Sequence, residues 1–469
     1  MAAWREECGA QLRLAGPVVL AQLGMMAMGL VDTIFVGHMA PGEAPVALSA
    51  VALGNTLFFL VGAFCFGAMS ALDPVLSQAR GAGDERGFQL GLQRGLVLAL
   101  GLSAVFAVPL WFAPTWLREM GQQAEVIPYA AAYARIAIPS LPALLVFFLL
   151  RQSLQVLGNL RPVLVVVLVA NLLNAALDWM WVHGNLGFSA HGVVGSAWAS
   201  TASRWFLALG LAWLARDVLV PRFGRWSREA LRLVPLRRLL RLGVPIGLQN
   251  ELEFAAFAVV AVMMGWIGVV EQSSHMLAIQ VASLTFMVPL GVGVAAGVRV
   301  GLHVGAGRGA DVRRSAAVAL GLGCAFMGSS GLVLWALAEP IAGLLTADPD
   351  LVRFTASLLP LAAAFQLFDG VQVVALGILR GVGDTLVPMA INLVGYWAVG
   401  FPVGYWLAFG LDLGAHGLWW GLVVGLGAVG GLLALRVRLR LARDLVRIDL
   451  DRGRGAESAG EPEPGPSPR

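Results

Sequence analysis

Val244–Gly268 reads VPIGLQNELEFAAFAVVAVMMGWIG. It is long and apolar enough to cross a bilayer as a helix, because about 20 residues match a hydrocarbon core of about 30 Å. Yet it carries Glu251 and Glu253. A charged side chain at membrane depth is costly and therefore faces a cavity, a partner or an ion. Glu251 fits the headgroup region equally well. Glu253, one turn from the wholly apolar run Phe254–Met264, is the stronger functional candidate.

Composition agrees with that reading over the whole length. The 469 residues are 58% hydrophobic and 13% charged, against about 25% charged in soluble domains. The chain is therefore read as a polytopic membrane protein. Cys8, Cys65 and Cys324 show no paired spacing, so neither a disulfide framework nor a metal site is expected. The start, MAAWREECGAQLRL, lacks the basic region, short apolar core and cleavage site of a signal peptide, so the first span is expected to act as an uncleaved anchor. No glycine-rich loop with a lysine is present, the six histidines lack metal-ligand spacing, and no nucleophile, base and acid are grouped. These features argue against an ATP-driven pump, an enzyme, a nucleic-acid binder or a bound cofactor.

Outward from Glu253, twelve windows can span: 14–36, 46–72, 95–113, 136–157, 163–183, 193–214, 244–267, 274–298, 316–338, 357–379, 386–409 and 414–435. Pro139 and Pro142 should kink the fourth. With both termini inside, 28 of the 32 arginines fall on the cytoplasmic side, and only Arg118, Arg135 and Arg353 on the other. The chain also repeats. Gly81-Ala82-Gly83 recurs as Gly305-Ala306-Gly307 (305 − 81 = 224), and Ala190-His191-Gly192 as Ala415-His416-Gly417 (415 − 190 = 225). The expected architecture is all-α, with twelve transmembrane helices in two pseudo-symmetric six-helix bundles. Residues 1–214 form the N-terminal bundle, 215–241 an arginine-rich cytoplasmic connection and 242–435 the C-terminal bundle. Residues 436–469 form a basic segment and disordered tail. Such repeats typify secondary transporters, whose sites lie near the midplane.

Four carboxylates fall inside the spans: Asp32, Asp178, Glu253 and Asp369. Counted from the nearest cytoplasmic arginine, Glu253 and Asp369 lie at roughly 17 Å, and Asp32 and Asp178 at roughly 26–28 Å. The acids thus pair by depth, one pair per half. Asn171 and Asn174 share a helix face with Asp178, and Thr201 and Arg204 add polar groups on the sixth span. Carboxylate, amide and hydroxyl oxygens suit a hard cation such as sodium. Two crowded acids with little water would equally share or trade protons. A hydrogen-bonded network that merely holds each bundle together, with Arg204 neutralising Asp178, is the structural alternative.

Several segments are similar to the multidrug and toxic compound extrusion (MATE) family, in particular its NorM-like bacterial branch, over about residues 10–435. They are LVDTIFVGHM around Asp32, ALDPVLSQARGAGD (71–84), NLLNAALDWMWVHG (171–184), ELEFAAFAVVAVMMGWIG from Glu251, and FQLFDGVQVVALGILRGVGDT (365–385). The resemblance implies a V-shaped antiporter of the inner membrane, exporting cationic or amphipathic organic compounds against sodium or proton entry by alternating access. It places Glu253 and Asp369 in a second-half cation or substrate site and Asp32, Asn174, Asp178 and Thr201 in a first-half coupling site. Asn171, Arg204 and Gln280 are further candidates. The partners expected are small organic cations and the lipid bilayer, with the chain a monomer. The chain departs from the family at 275–280, HMLAIQ where HQIALN is frequent, and at Phe365, where tyrosine is common. A lipid-linked glycan flippase of the same superfamily would need a cationic cavity, whereas the charges in the spans are mainly acidic. A channel or membrane-embedded enzyme is the reading from a different class.

The arginine distribution generates a topology test. Single cysteines at Gly42 and Asp412 should react with an impermeant thiol reagent from outside the cell, and those at Asp84, Arg225 and Gly460 only from inside. Reversed labelling at Arg225 would overturn the orientation.

Overall fold

The computed structural model describes residues 2–39 and 44–451. The tail expected to be disordered lies outside the described residues, as does Gly42. Among the described residues every regular element is a helix. Six rods make the first bundle: Ala2–Gly37, Ala44–Gly81, Glu85–Trp111, the pair Ile127–Ala137 and Ser140–Val156, Arg161–Trp181 and Gly192–Leu214. Six more make the second: Leu233–Ile267, Val269–Gly305, Gly309–Ala336, Pro349–Gly381, Leu386–Gly410 and Gly414–Leu441.

Ten of these helices are long and apolar enough to span by themselves, and the bent pair makes an eleventh. The twelfth, Gly192–Leu214, carries buried Ser196, Ser200, Thr201, Ser203 and Arg204. Its low apolarity follows from what it buries. The fourth span bends by 48° between Ala137 and Ser140, where Pro139 cannot donate a helical hydrogen bond. It begins at Ile127, well before the expected 136. The eleventh span widens into π-helical turns over Leu393–Gly400 and Trp406–Gly410. Close packing accompanies this distortion: a Cβ on Gly421 of the last helix would lie 2.4 Å from the Cα of Gly404.

Within the first bundle the first span packs on the fifth, the second and third on the fourth, and the sixth on both the fourth and fifth. In the second bundle the tenth span is central, packed on the eighth, ninth and twelfth, while the eleventh lies along the twelfth. The bundles meet where the first span crosses the eighth and the second crosses the seventh and eighth.

That seam is reciprocal. A Cβ on Gly81 would lie 2.0 Å from the carbonyl oxygen of Leu302, and one on Gly305 would lie 2.0 Å from that of Gln78. Both partners are 224 residues apart (305 − 81 = 224 and 302 − 78 = 224), so the contact maps onto itself as an isologous interface does. Gly67 meets Gly247 and Gly291 meets Val19 in the same reciprocal manner. The glycine triplets that reveal the repeat are therefore also what lets the halves touch. Gly83 and Gly307 finish the two turns at φ 69° and 70°, a left-handed conformation that glycine adopts without steric cost.

The seam sits at the arginine-rich end. Hydrogen bonds between bundles run from Gln11 to Ser315 (2.9 Å) and Gln78 to the Gly381 carbonyl (2.8 Å) up to Asn250 and the Ala63 carbonyl (3.5 Å). The Glu7 carboxylate accepts from Arg299 at the same end.

Methyl groups placed in the seam should wedge it. Gly81→Ala and Gly305→Ala should each destabilise by about 1–3 kcal/mol, the usual cost of overpacking. Gly321→Ala, which meets open space, should leave the melting temperature in detergent unchanged. Equal melting of all three variants would show that the seam tolerates a Cβ.

Candidate functional site

In the first bundle, the first, fifth and sixth spans converge on Asp32. The carboxylate is 2% exposed. Its Oδ1 accepts from Asn174 Nδ2 at 3.0 Å and its Oδ2 from Ser200 Oγ at 2.5 Å. Asn174 and Asp178 stand one turn apart on the fifth span, so both face the first span together. Asp178 is fully buried, and neither carboxylate oxygen has a hydrogen-bond partner. Its electrostatic neighbours are Asp32 and Ser196. Two acids thus share one dry pocket, with Tyr133 close by, its hydroxyl donating to Asn55 Oδ1 at 3.0 Å.

The other first-half candidates serve the surrounding walls. Thr201 donates to the Ile136 carbonyl at 3.0 Å and turns away from Asp32; its neighbour Ser200 occupies that role. Arg204 donates to Ser140 Oγ at 3.0 Å and lies 4.0 Å over the Phe58 ring, so it forms no ion pair with Asp178. Asn171 donates to the carbonyls of Gly24 (2.9 Å) and Val167 (2.8 Å), joining the fifth span to the first.

In the second bundle, Glu253 on the seventh span and Asp369 on the tenth are electrostatic neighbours. Asp369 is 7% exposed. Gln372, one turn beyond it, faces Glu253 and accepts from the Tyr396 hydroxyl at 3.0 Å. The Trp397 indole donates to the Leu252 carbonyl at 3.2 Å and fixes the eleventh span against the seventh. Glu251 faces Phe64 and Cys65 of the second span. Gln280 is exposed on the eighth span, away from the pair. Phe365, one of the family departures, and His275, just before the other, both pack on the Trp419 ring, with centroids 5.5 and 5.6 Å away.

From the second-half pair a line of charge that the sequence did not reveal runs into the first bundle. Arg380 donates to Asn250 Oδ1 at 3.4 Å and faces both Glu253 and Asp73. Asp73 faces Arg151 in turn, which donates to Gln22 Oε1 at 2.9 Å. Arg151 and Arg380 therefore do not simply mark the membrane surface, as their position at helix ends suggests. Helical side chains lean toward the N-terminus of their helix, so a long arginine at the last turn reaches back into the span. Among the described residues, no arginine lies within ion-pair distance of Asp32, Asp178, Glu253 or Asp369.

Comparison with known proteins identifies the family. The MatE family model matches residues 17–180 and 245–406, one segment in each bundle. The chain belongs to the MATE family. It is accordingly a multi-pass membrane transporter and not an enzyme. The MATE relatives include the "Multidrug resistance protein NorM" of Burkholderia vietnamiensis, 37% identical over 444 residues that cover 91% of this chain and 93% of the relative. The "Multidrug resistance protein PmpM" of Pseudomonas aeruginosa is 33% identical, with 94% and 93% covered. Among solved structures, the eukaryotic MATE transporter AtDTX14 superposes with a TM-score of 0.84 at 22% identity, covering 93% of this chain and 96% of that one, and shows the shared fold.

For this MATE chain, Ser200, Gln372, Tyr396 and Arg380 are the site residues that sequence reasoning missed. Ser200 lies beside the candidate Thr201, but helix phase alone does not say which of two adjacent hydroxyls turns inward. Ser200→Ala removes a hydrogen bond to a carboxylate, worth about 1.5–3 kcal/mol, and should lower export about tenfold or more. Thr201→Ala, which loses only a backbone contact, should export within about threefold of the parent. A larger loss in Thr201→Ala would mean that the hydroxyl acts elsewhere in the cycle.

Proposed function

We propose that the chain is a cation-coupled antiporter that exports organic cations and amphipathic compounds by alternating access. The observation that carries the reading is Asp178, whose two buried oxygens have no hydrogen-bond partner, set beside Asp32 inside the membrane. Asp32 accepts from Asn174 and Ser200 while Asp178 has no such donor, and two crowded acids at that depth repel each other, so a proton or a cation relieves both the repulsion and the burial. Glu253 and Asp369 repeat the arrangement in the second bundle. Among the described residues no three His, Cys, Asp or Glu side chains form a metal-binding group. Sodium would therefore draw on amide and hydroxyl oxygens such as those of Asn174 and Ser200 or Gln372, in keeping with a hard cation.

Coupling follows from competition. An organic cation and the coupling ion both favour an ionised carboxylate, so binding of one promotes release of the other. Among the described residues the hydrogen bonds between the bundles run from the arginine-rich end to about the level of Asn250, a pattern suited to a cleft that faces the opposite side. The arginine distribution supports a joined end in the cytoplasm, with both termini there and the protein in the inner membrane. The multidrug resistance named for the Burkholderia and Pseudomonas relatives supports drug-like cargo. Residues 1–214 and 242–435 act as the two rocking bodies, 215–241 as their hinge connection, and the chain works as a monomer.

Everted vesicles loaded with a fluorescent organic cation, with sodium and proton gradients imposed separately, test the coupling. Asp32→Asn should abolish gradient-driven transport with the protein still folded. Glu253→Gln, Asp369→Asn and the double variant should raise the ion requirement to a similar extent, since one shared site is lost in each case. Additive losses would mean independent groups. Full transport by both Asp32→Asn and Asp178→Asn would overturn the coupling role.

A further inference from the structure

The last helix does not end the described chain. After Leu441, residues 442–451 run back across the arginine-rich face, and several of their polar contacts are with the opposite bundle. Arg447 pairs with Asp84, at the start of the third span. The Ile448 backbone N–H donates to Gln78 Oε1 at 2.7 Å. Arg238, in the connection between the bundles, donates to the Leu450 carbonyl at 2.7 Å. Asp451 takes a two-pronged contact from Arg94 of the third span, at 2.7 and 3.0 Å. That arginine is 2% exposed, and the bidentate geometry makes it the strongest type of ionic contact. Leu450 is buried, Leu445 and Ile448 pack against the core, and a Cβ on Gly383 would lie 2.6 Å from Ile448 Cδ1.

Gln78 joins this segment to the seam. Its carbonyl oxygen lies against Gly305, its amide donates to the Gly381 carbonyl at 2.8 Å, and its side-chain oxygen holds Ile448. If the seam parts, Gln78 leaves with the first bundle. Gly381, Gly383 and the last helix stay with the second. The segment spans that division and is fastened on both sides of it. A purely structural C-terminal segment would be expected to dock on its own bundle.

We propose that residues 442–451 form a strap that holds the arginine-rich end shut and must release Gln78, Asp84 and Arg94 before the bundles separate there. The strap rests on the alternating-access reading above. It adds to that reading a conformational device: the end of the polypeptide sets how readily the inward-facing state is reached. Of its attachments, Arg447–Asp84 is partly exposed and open to screening by salt, while Arg94–Asp451 is anchored on a buried arginine.

Ser77 reports the seam. It is fully buried, and its hydroxyl oxygen lies 1.9 Å from where a Cβ on Gly301 would stand. In full-length chain with Cys8, Cys65 and Cys324 replaced, Ser77→Cys in everted vesicles is exposed to an impermeant maleimide. Adding Arg447→Ala and Asp451→Ala should raise its labelling rate several-fold. In a second chain, Arg447→Cys and Asp84→Cys are bridged by a short bis-methanethiosulfonate. Export should stop on bridging and return on reduction, which excludes misfolding as the cause. Equal labelling with and without the strap substitutions overturns the strap alone. Undiminished export by the bridged protein does the same. If Ser77→Cys stays unlabelled in both chains under every ion gradient, the seam never opens, and alternating access and the strap fail together.

Discussion

The contact between Gly81 and the Leu302 carbonyl, with its image between Gly305 and the Gln78 carbonyl, is the constraint on which the rest of the molecule depends. Without Cβ atoms at these positions the backbones approach closely, as small residues allow in membrane interiors, where apolar side chains gain little by leaving lipid. Because the contact is reciprocal, it brings both bundles together about one pseudo-axis. It also gathers the first helix and the segment after the last one: Glu7 meets Arg299 nearby, and Ile448 is held by Gln78.

Those interiors obey a second constraint, the cost of charge at membrane depth. Each bundle holds two carboxylates, and neither pair is neutralised by an arginine at ion-pair distance. The charge that does enter, Arg380 and Arg151 with Asp73 between them, forms a chain across the seam and connects the second-half pair to the first bundle. A change of charge at Glu253 is thus felt by an arginine that also faces Asp73 of the other bundle. That places the second-half acids and the seam in one electrostatic system, and the segment 442–451 ties the same junction.

The hydropathy windows, the proline bend of the fourth span and the repeat offset were all legible in the residue order, because each depends on local composition and fixed helical rise. The pairing of Asp32 with Asp178 and of Glu253 with Asp369 was readable too, since depth along a straight helix is a count of residues. Ser200 was not readable, because it and Thr201 differ only in helix phase, which packing sets. Nor was the inward reach of Arg380 and Arg151, which their position at helix ends disguised as surface charge. The sixth span, 193–214, was legible as an apolar window even though it carries a run of buried polar residues.

What the sequence by itself determined about this protein is its class, its twelve spans, its internal repeat and the four acids that cannot sit in lipid unassisted. Helical rise and the bilayer's thickness act on the chain locally, so residue order is enough. What only the tertiary structure decided is who faces whom: Ser200 rather than Thr201 on Asp32, Arg204 on Ser140, Gln372 on Glu253, and residues 442–451 on the opposite bundle. Those choices depend on the rotation of each helix about its axis and on contacts hundreds of residues apart. No local pattern encodes them, because only the packed whole supplies the second partner.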